Sequence, residues 1–293
     1  MGKIVHISDD GEVLNTFNDH THYIRSEAQN KFYKKRETSK FEFEVFNNEA
    51  GKFIWSYPAR IKELIKSDDF NKSDLTMIFY LATYVNGTGF LAYDNQVKLK
   101  KDGLMKVLNI SRNQFGKLYN KLIEHEILIS VNEYYKWNQN YNFYGTTKRI
   151  AKPNELVRTY VKQIRDLYEA KTDSGKRKNS AVSLYPVFAL VPYLHVSTNI
   201  ICSNPTEVDT SQIDYYTLTE IAEILDLKDS KKMSCTLSSI KLSDQYVFRK
   251  VEIKNEKFLQ MSPRIFWKNT TVPNAQLIAE FDMVINKIAM KSF

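Results

Sequence analysis

One arrangement of apolar and polar positions occurs twice along this chain, about 120 residues apart, a spacing that suits one domain per copy. In the first copy Leu104, Met105 and Leu108 mark a short helix, Ile110 and Ser111 a tight turn, and Phe115, Leu118, Tyr119, Leu122 and Ile123 a second amphipathic helix. Ile127, Leu128 and Ile129 then open a β-rich pair. In the second copy Ile221, Ala222, Leu225 and Leu227 are followed by Asp229 and Ser230, then Met233, Leu237, Ile240 and Leu242, then Tyr246, Val247 and Phe248.

The surrounding residues extend each copy. Asp74 is expected to cap a helix over 75–85, stopped by Gly87 and Gly89, with a small strand at 90–93. The next helix spans 101–109, Ser111 caps a third over 112–125, and two strands follow at 127–132 and 134–138. Residues 184–194 open the second copy, and 195–215 read as an insertion. Helix 219–225 precedes one capped by Asp229 or Ser230, and strands at 246–253 and 257–261 turn at Asn255.

Outside the copies, Val5, Ile7, Val13 and Leu14 suggest a strand or hairpin around Asp10 and Gly11. Strict alternation over 41–46 predicts a half-buried strand, with 52–57 as its hairpin partner and a helix over 59–66. Pro153 sits in the first turn of a helix expected over 154–171, and the polar stretch 170–183 is a candidate boundary. Apolar positions on one face of 274–291 predict a helix that either covers the core or pairs with a second copy of the chain.

Helix, turn, helix and β-pair in this order are the sequence form of a winged helix-turn-helix, a shape that places one helix in a DNA groove. The expected fold is α+β and mainly helical. It has an N-terminal arm and β-hairpin (1–66), a first winged-helix domain (67–152), a helical and basic linker (153–183), a second winged-helix domain (184–270) and a C-terminal helix (271–293).

With 293 residues, 43% of them hydrophobic and 13% aromatic, the chain can fill a packed interior. Its net charge of +8 suits a polyanion or an acidic protein. Cys202 and Cys235 lie in apolar or small-residue settings outside any C-x-x-C, which fits a reduced compartment and two buried thiols. No apolar run reaches the roughly 20 residues that cross a bilayer, and the first 18 residues are too polar for a signal peptide. A cytoplasmic protein without membrane partners is expected.

Charge placement says more than total charge. Between Lys98 and Lys121 the cations are Lys98, Lys100, Lys101, Lys106, Arg112, Lys117 and Lys121, opposed only by Asp102. No acid occurs between Glu133 and Glu155, where Lys136, Lys148, Arg149 and Lys152 lie. Ser111, Arg112, Asn113 and Gln114 stand where a recognition helix meets DNA: Arg matches guanine O6 and N7, while Asn or Gln matches adenine N6 and N7. Lys117, Lys121, Lys136, Lys148 and Arg149 are placed for phosphates. In the second copy Ser230, Lys231, Lys232 and Thr236 can line a groove with Arg249 on the backbone, although Asp226 and Asp229 sit nearby. The basic stretch 31–36, with two aromatics among four cations, reads as a DNA-contacting arm or as a solvated helix turn. The same pattern also fits winged domains that bind protein, as an adaptor or an inhibitor.

The two helix-turn-helix copies, each followed by an aromatic closing segment (137–145 and 261–267), resemble the tandem winged-helix replication initiators of Firmicute plasmids and phages. The resemblance covers about residues 70–150 and 184–270. It implies recognition of repeated or palindromic double-stranded origin DNA, a homodimer, and host replication or transcription proteins as partners. A phage or plasmid transcription regulator would carry the same pattern, so initiation and regulation both stand.

Catalytic signatures are weak. His20 and His22 flank Thr21, where a rolling-circle nickase needs a hydrophobic residue between its metal-binding histidines. His6, His125 and His195 are isolated, and no G-x-x-x-x-G-K-S/T or G-x-S-x-G occurs. The expectation is a binding protein without cofactor or chemical step.

Overall fold

The computed structural model describes residues 3–7, 13–18, 31, 46, 48, 50–146, 155–243, 245–253, 255–269, 271–273 and 276–281. The chain divides into two compact units, Met1–Phe46 and Asn47–Phe293. In the smaller one, strands β1 (Lys3–Ile7) and β2 (Val13–Asn18) pair antiparallel from Lys3 opposite Asn18 to Ile7 opposite Val13, the hairpin expected around Asp10 and Gly11. Lys31 is helical, and 32–36 lie outside the described residues.

The larger unit is α+β, with helices and small antiparallel sheets. It opens with strand β3 (Phe53–Ser56) and helix α1 (Pro58–Lys66). Helix α2 (Lys72–Ala82) is capped by Asn71, not Asp74: the Asn71 side chain accepts from the Asp74 N–H at 2.9 Å, and Asp74 returns the bond from the third helical position. Helices α3 (Lys101–Leu108) and α4 (Arg112–Glu124) follow, then strands β4 (Leu128–Val131), β5 (Tyr134–Trp137) and β6 (Asn142–Phe143). The second half runs through β7 (Val157–Tyr160), α5 (Val161–Glu169), α6 (Ala181–Ala189), α7 (Leu218–Ile224) and α8 (Ser230–Ser239). It ends with the short pair β8 (Lys241–Leu242) and β9 (Gln245–Tyr246), the hairpin β10 (Phe248–Ile253) and β11 (Glu256–Met261), and β12 (Phe266–Trp267).

Much of the element order recurs between the halves, with the β8–β9 pair present only in the second. The turn between α3 and α4 passes through Asn109 at φ +48°, and that between α7 and α8 through Asp226 at φ +52°. Short polar side chains tolerate this left-handed conformation best after glycine. The β4–β5 and β10–β11 hairpins turn at Asn132 and Asn255, again at positive φ. Leu91 donates its N–H to Tyr135 O, and Ile201 donates likewise to Leu259 O. Residues 200–202 are therefore the second half's counterpart of the small strand at 90–93. The expected insertion 195–215 thus contains an element of the repeat itself.

One expectation fails in the sheet that joins the halves, whose strand order is β12-β7-β3-β6. In it β3 pairs with β7, Phe53 opposite Tyr160, and with β6, Trp55 opposite Phe143. Phe46 is helical, and 41–45 lie outside the described residues. The helix expected over 154–171 begins only at Val161. Residues 157–160 satisfy a helical spacing, but all four are buried between β3 and β12, and a central strand buries both faces. Arg158, 2% exposed, lies 5.3 Å from the rings of Phe53 and Trp55.

One continuous apolar cluster runs through both halves, and Val157, Val161, Ile164, Leu167 and Tyr168 from the expected linker belong to it. Phe79 on α2 stacks on Phe188 of α6 at 4.7 Å. Lys72 reaches across to the Asp226 carboxylate at 3.1 Å and to Leu225 O at 3.0 Å. Cys202 is buried, and burial pushes its thiol up to about 12. Cys235 is exposed, against expectation, because it falls on the outer face of α8 while Met233 and Leu237 face inward. Residues 276–281 are helical with Leu277 and Phe281 buried, and this part of the expected C-terminal helix meets Arg249 of β10 through Phe281 and Glu280.

His195 anchors the 195–215 segment. Its Nδ1 faces the Thr198 hydroxyl at 3.1 Å and its Nε2 faces Glu207 O at 2.9 Å, which assigns the proton to Nε2. Burial holds the imidazole below its ordinary pKa, and the Lys268 charge adds to this, against an opposing contribution from Glu207. Such a depressed folded-state value stabilises above the unfolded value of roughly 6.5, and the stabilisation is lost as pH falls through it. Urea midpoints measured at pH 7.5 and about 5.5 should therefore drop more for wild type than for His195→Gln. Equal drops would place the acid sensitivity elsewhere.

Candidate nucleic-acid interface

Helix α4 starts where a polar residue meets an apolar stripe. The Ser111 hydroxyl oxygen accepts from the Gln114 N–H at 3.3 Å, and Gln114 Oε1 accepts from the Ser111 N–H at 3.4 Å, closing a capping box. Phe115, Leu118 and Leu122 are buried, which turns Arg112, Asn113, Lys117 and Asn120 outward. These four are exposed, and Arg112 and Lys117 form no ion pair among the described residues. With Lys101 and Asp102 they line an open groove of about 830 Å³ between α3 and α4.

Three expected contacts change role. Gln114 spends its amide oxygen on the cap, so it cannot offer adenine both an acceptor and a donor without opening the helix start. Lys121 is bound to Asp74 at 2.7 Å and is only 32% exposed; it fastens α4 to α2. Lys136 is half-buried and lies 5.0 Å from the centre of the Phe90 ring. Lys98 sits over the same ring at 3.9 Å, and Lys101 over Tyr119 at 3.9 Å. The contact of Lys136 with Phe90 carries no local signal, because the two meet only through the pairing of residue 90 with β5. Lys148 and Arg149 lie outside the described residues, as do His20 and His22.

The second half presents less. Lys231 and Lys232 are exposed at the start of α8, where Asp229 accepts from the Lys232 N–H at 2.6 Å. Ser230 is half-buried, and Thr236 turns its hydroxyl back to Lys232 O at 3.0 Å. Arg249 is not available to a phosphate. It donates to Gln260 at 2.5 Å and to Glu280, and its guanidinium lies 4.8 Å from the Phe281 ring. Arg249→Ala should accordingly leave duplex affinity within about twofold of wild type while lowering the unfolding midpoint, a comparison that filter binding and urea titration make directly. A tenfold loss of affinity, about 1.4 kcal/mol, would return Arg249 to the interface.

Between α8 and the β9–β10 region lies an open groove of about 370 Å³, lined by Leu218, Met233, Leu237, Phe248 and Leu259. Ser234, Ser238, Tyr246, Arg249 and Lys250 complete its lining, whose exposed surface is more apolar than that of the α3–α4 groove. Among the described residues no helix is long and apolar enough to cross a membrane, and no group of three or more His, Cys, Asp or Glu could hold a metal ion. No known protein family, curated protein or solved structure matches this chain.

Proposed function

We propose that the chain binds double-stranded DNA sequence-specifically through two winged helix-turn-helix units, without a chemical step. In this reading α4 enters the major groove by its first turn, where Arg112 and Asn113 meet base edges and Lys117 meets phosphate. The unpaired N–H groups at the start of α4 add a phosphate site. The observation that carries the reading is the outward row Arg112, Asn113, Lys117 and Asn120 on a helix whose other face is buried. A solvated helix needs cations but has no use for an unpaired arginine and amide side by side at its start.

The biological setting proposed is a phage or plasmid protein, cytoplasmic, acting in replication initiation or transcription control, with a homodimer and host proteins of those processes as partners. Selection of duplexes from a random pool by the full chain tests the reading. Recovery of one recurrent motif supports it; no duplex retained at about 150 mM salt removes it. A second reading, a protein adaptor, draws on the apolar groove beside α8. It predicts a stable complex with a protein that survives nuclease treatment and the absence of any selected motif.

A further inference from the structure

A cleft away from the outward face of α4 has a different chemistry. Its volume is about 380 Å³, within the range of small-ligand sites. Four segments build it. Helix α2 supplies Tyr80, the turn just after it supplies Tyr84, and α5 supplies Glu169 at its C-terminal end. Helix α3 supplies Lys106, and the turn 171–177 supplies Lys171 and Arg177 from its two arms.

The groups are arranged with one carboxylate already engaged and three cations unanswered. Tyr80 donates to Glu169 Oε1 at 2.5 Å, and Tyr84 lies 3.5 Å from the same oxygen. Lys106, Lys171 and Arg177 form no ion pair among the described residues. Arg177 is held in place by Leu108 O at 3.0 Å and by the face of Tyr168 at 4.3 Å. A monoanion would satisfy one cation and leave two. A phosphate dianion matches such a set of cations around one cleft better, through charge-assisted hydrogen bonds. The second oxygen of Glu169 can accept from a hydroxyl or amino group on the same molecule.

We propose that this cleft binds a small phosphorylated molecule, a phosphate ester carrying a hydroxyl or amino group. Its position gives the ligand leverage on the proposed DNA site. Tyr168 and Arg177 both donate to Leu108 O, the last residue of α3, three residues before the Ser111 cap of α4. A phosphate bridging Lys106 to the 171–177 turn fastens that end of α3 and, with it, the start of α4. This consequence for DNA rests on the reading above; the binding itself does not.

Phosphate chemistry could also arrive as DNA backbone, so the test has two arms. Titration calorimetry of the full chain uses inorganic phosphate, adenosine monophosphate and adenosine, without DNA. The monophosphate should bind and adenosine should not, and Lys106→Ala with Lys171→Ala should weaken it at least about tenfold. Tyr84→Phe, which keeps the ring packed, should weaken it by a few fold. No heat from either phosphate probe up to about 10 mM would overturn the proposal. So would the opposite pattern in the second arm, in which the double lysine variant loses duplex affinity and the slope against salt falls by about one to two phosphates, while the monophosphate stays silent. Failure of the DNA reading alone leaves the calorimetric result standing.

Discussion

Arg112→Ala should lose about 1–3 kcal/mol of binding to the selected duplex, roughly five- to 150-fold, and almost nothing on a scrambled one. Arg112 is the first residue of α4, exposed, and free of ion pairs among the described residues. Removing it therefore deletes base contacts without opening the core. Lys117 is also exposed and lies one turn beyond Asn113. Lys117→Ala should weaken cognate and scrambled DNA alike and flatten the salt dependence by about one phosphate. The contrast between the two variants, read by competition binding at two salt concentrations, separates base reading from charge attraction. Equal losses on both duplexes for Arg112→Ala would mean that α4 does not read sequence.

The second large effect concerns the joint between the halves. Phe188→Ala should cost about 3–5 kcal/mol, a large share of the 5–15 kcal/mol typical of a folded chain. Phe188 is 1% exposed, stacks on Phe79 of α2, and meets Phe266 of β12 edge-on at 6.2 Å. One ring thus touches helix α2 of the first half and the closing strand of the second. Because the apolar cluster is continuous, the loss should be felt across residues 53–267 as one transition. Hydrogen exchange followed by mass spectrometry would show protection falling together in α2 and α6. Loss confined to α6, with α2 as protected as in wild type, would show that each half folds on its own.

The helices beside the candidate interface were legible because each carries its own signal. Ser111 before an apolar stripe of period 3.6 marks the start of α4, and the observed helix, Arg112–Glu124, ends one residue before the expected His125. The hairpins β4–β5 and β10–β11 were likewise legible as pairs of short apolar runs, the second with Asn255 at its turn. A further signal was present and unused. Ser56, Tyr57, Ile61 and Leu64 recur as Thr159, Tyr160, Ile164 and Leu167, at an offset of 103 residues. The first pair of each set lies at the strand-to-helix passage from β3 to α1 and from β7 to α5, and the Ser56 and Thr159 hydroxyls meet at 2.6 Å. Reading that recurrence would have predicted a strand at 157–160 in place of a helix.

Local pattern settled which segments of this protein become helix, hairpin or capped turn, since periodicity and capping act over a few residues. Partnership was decided only in three dimensions. The pairing of β3 with β7, the Lys121–Asp74 and Arg249–Glu280 ion pairs, and the stacking of Phe79 on Phe188 each join residues 31 to 109 positions apart. No short-range preference encodes such contacts. Their geometry follows from burying one shared apolar core, and that packing leaves Arg112 facing solvent while it ties up Arg249.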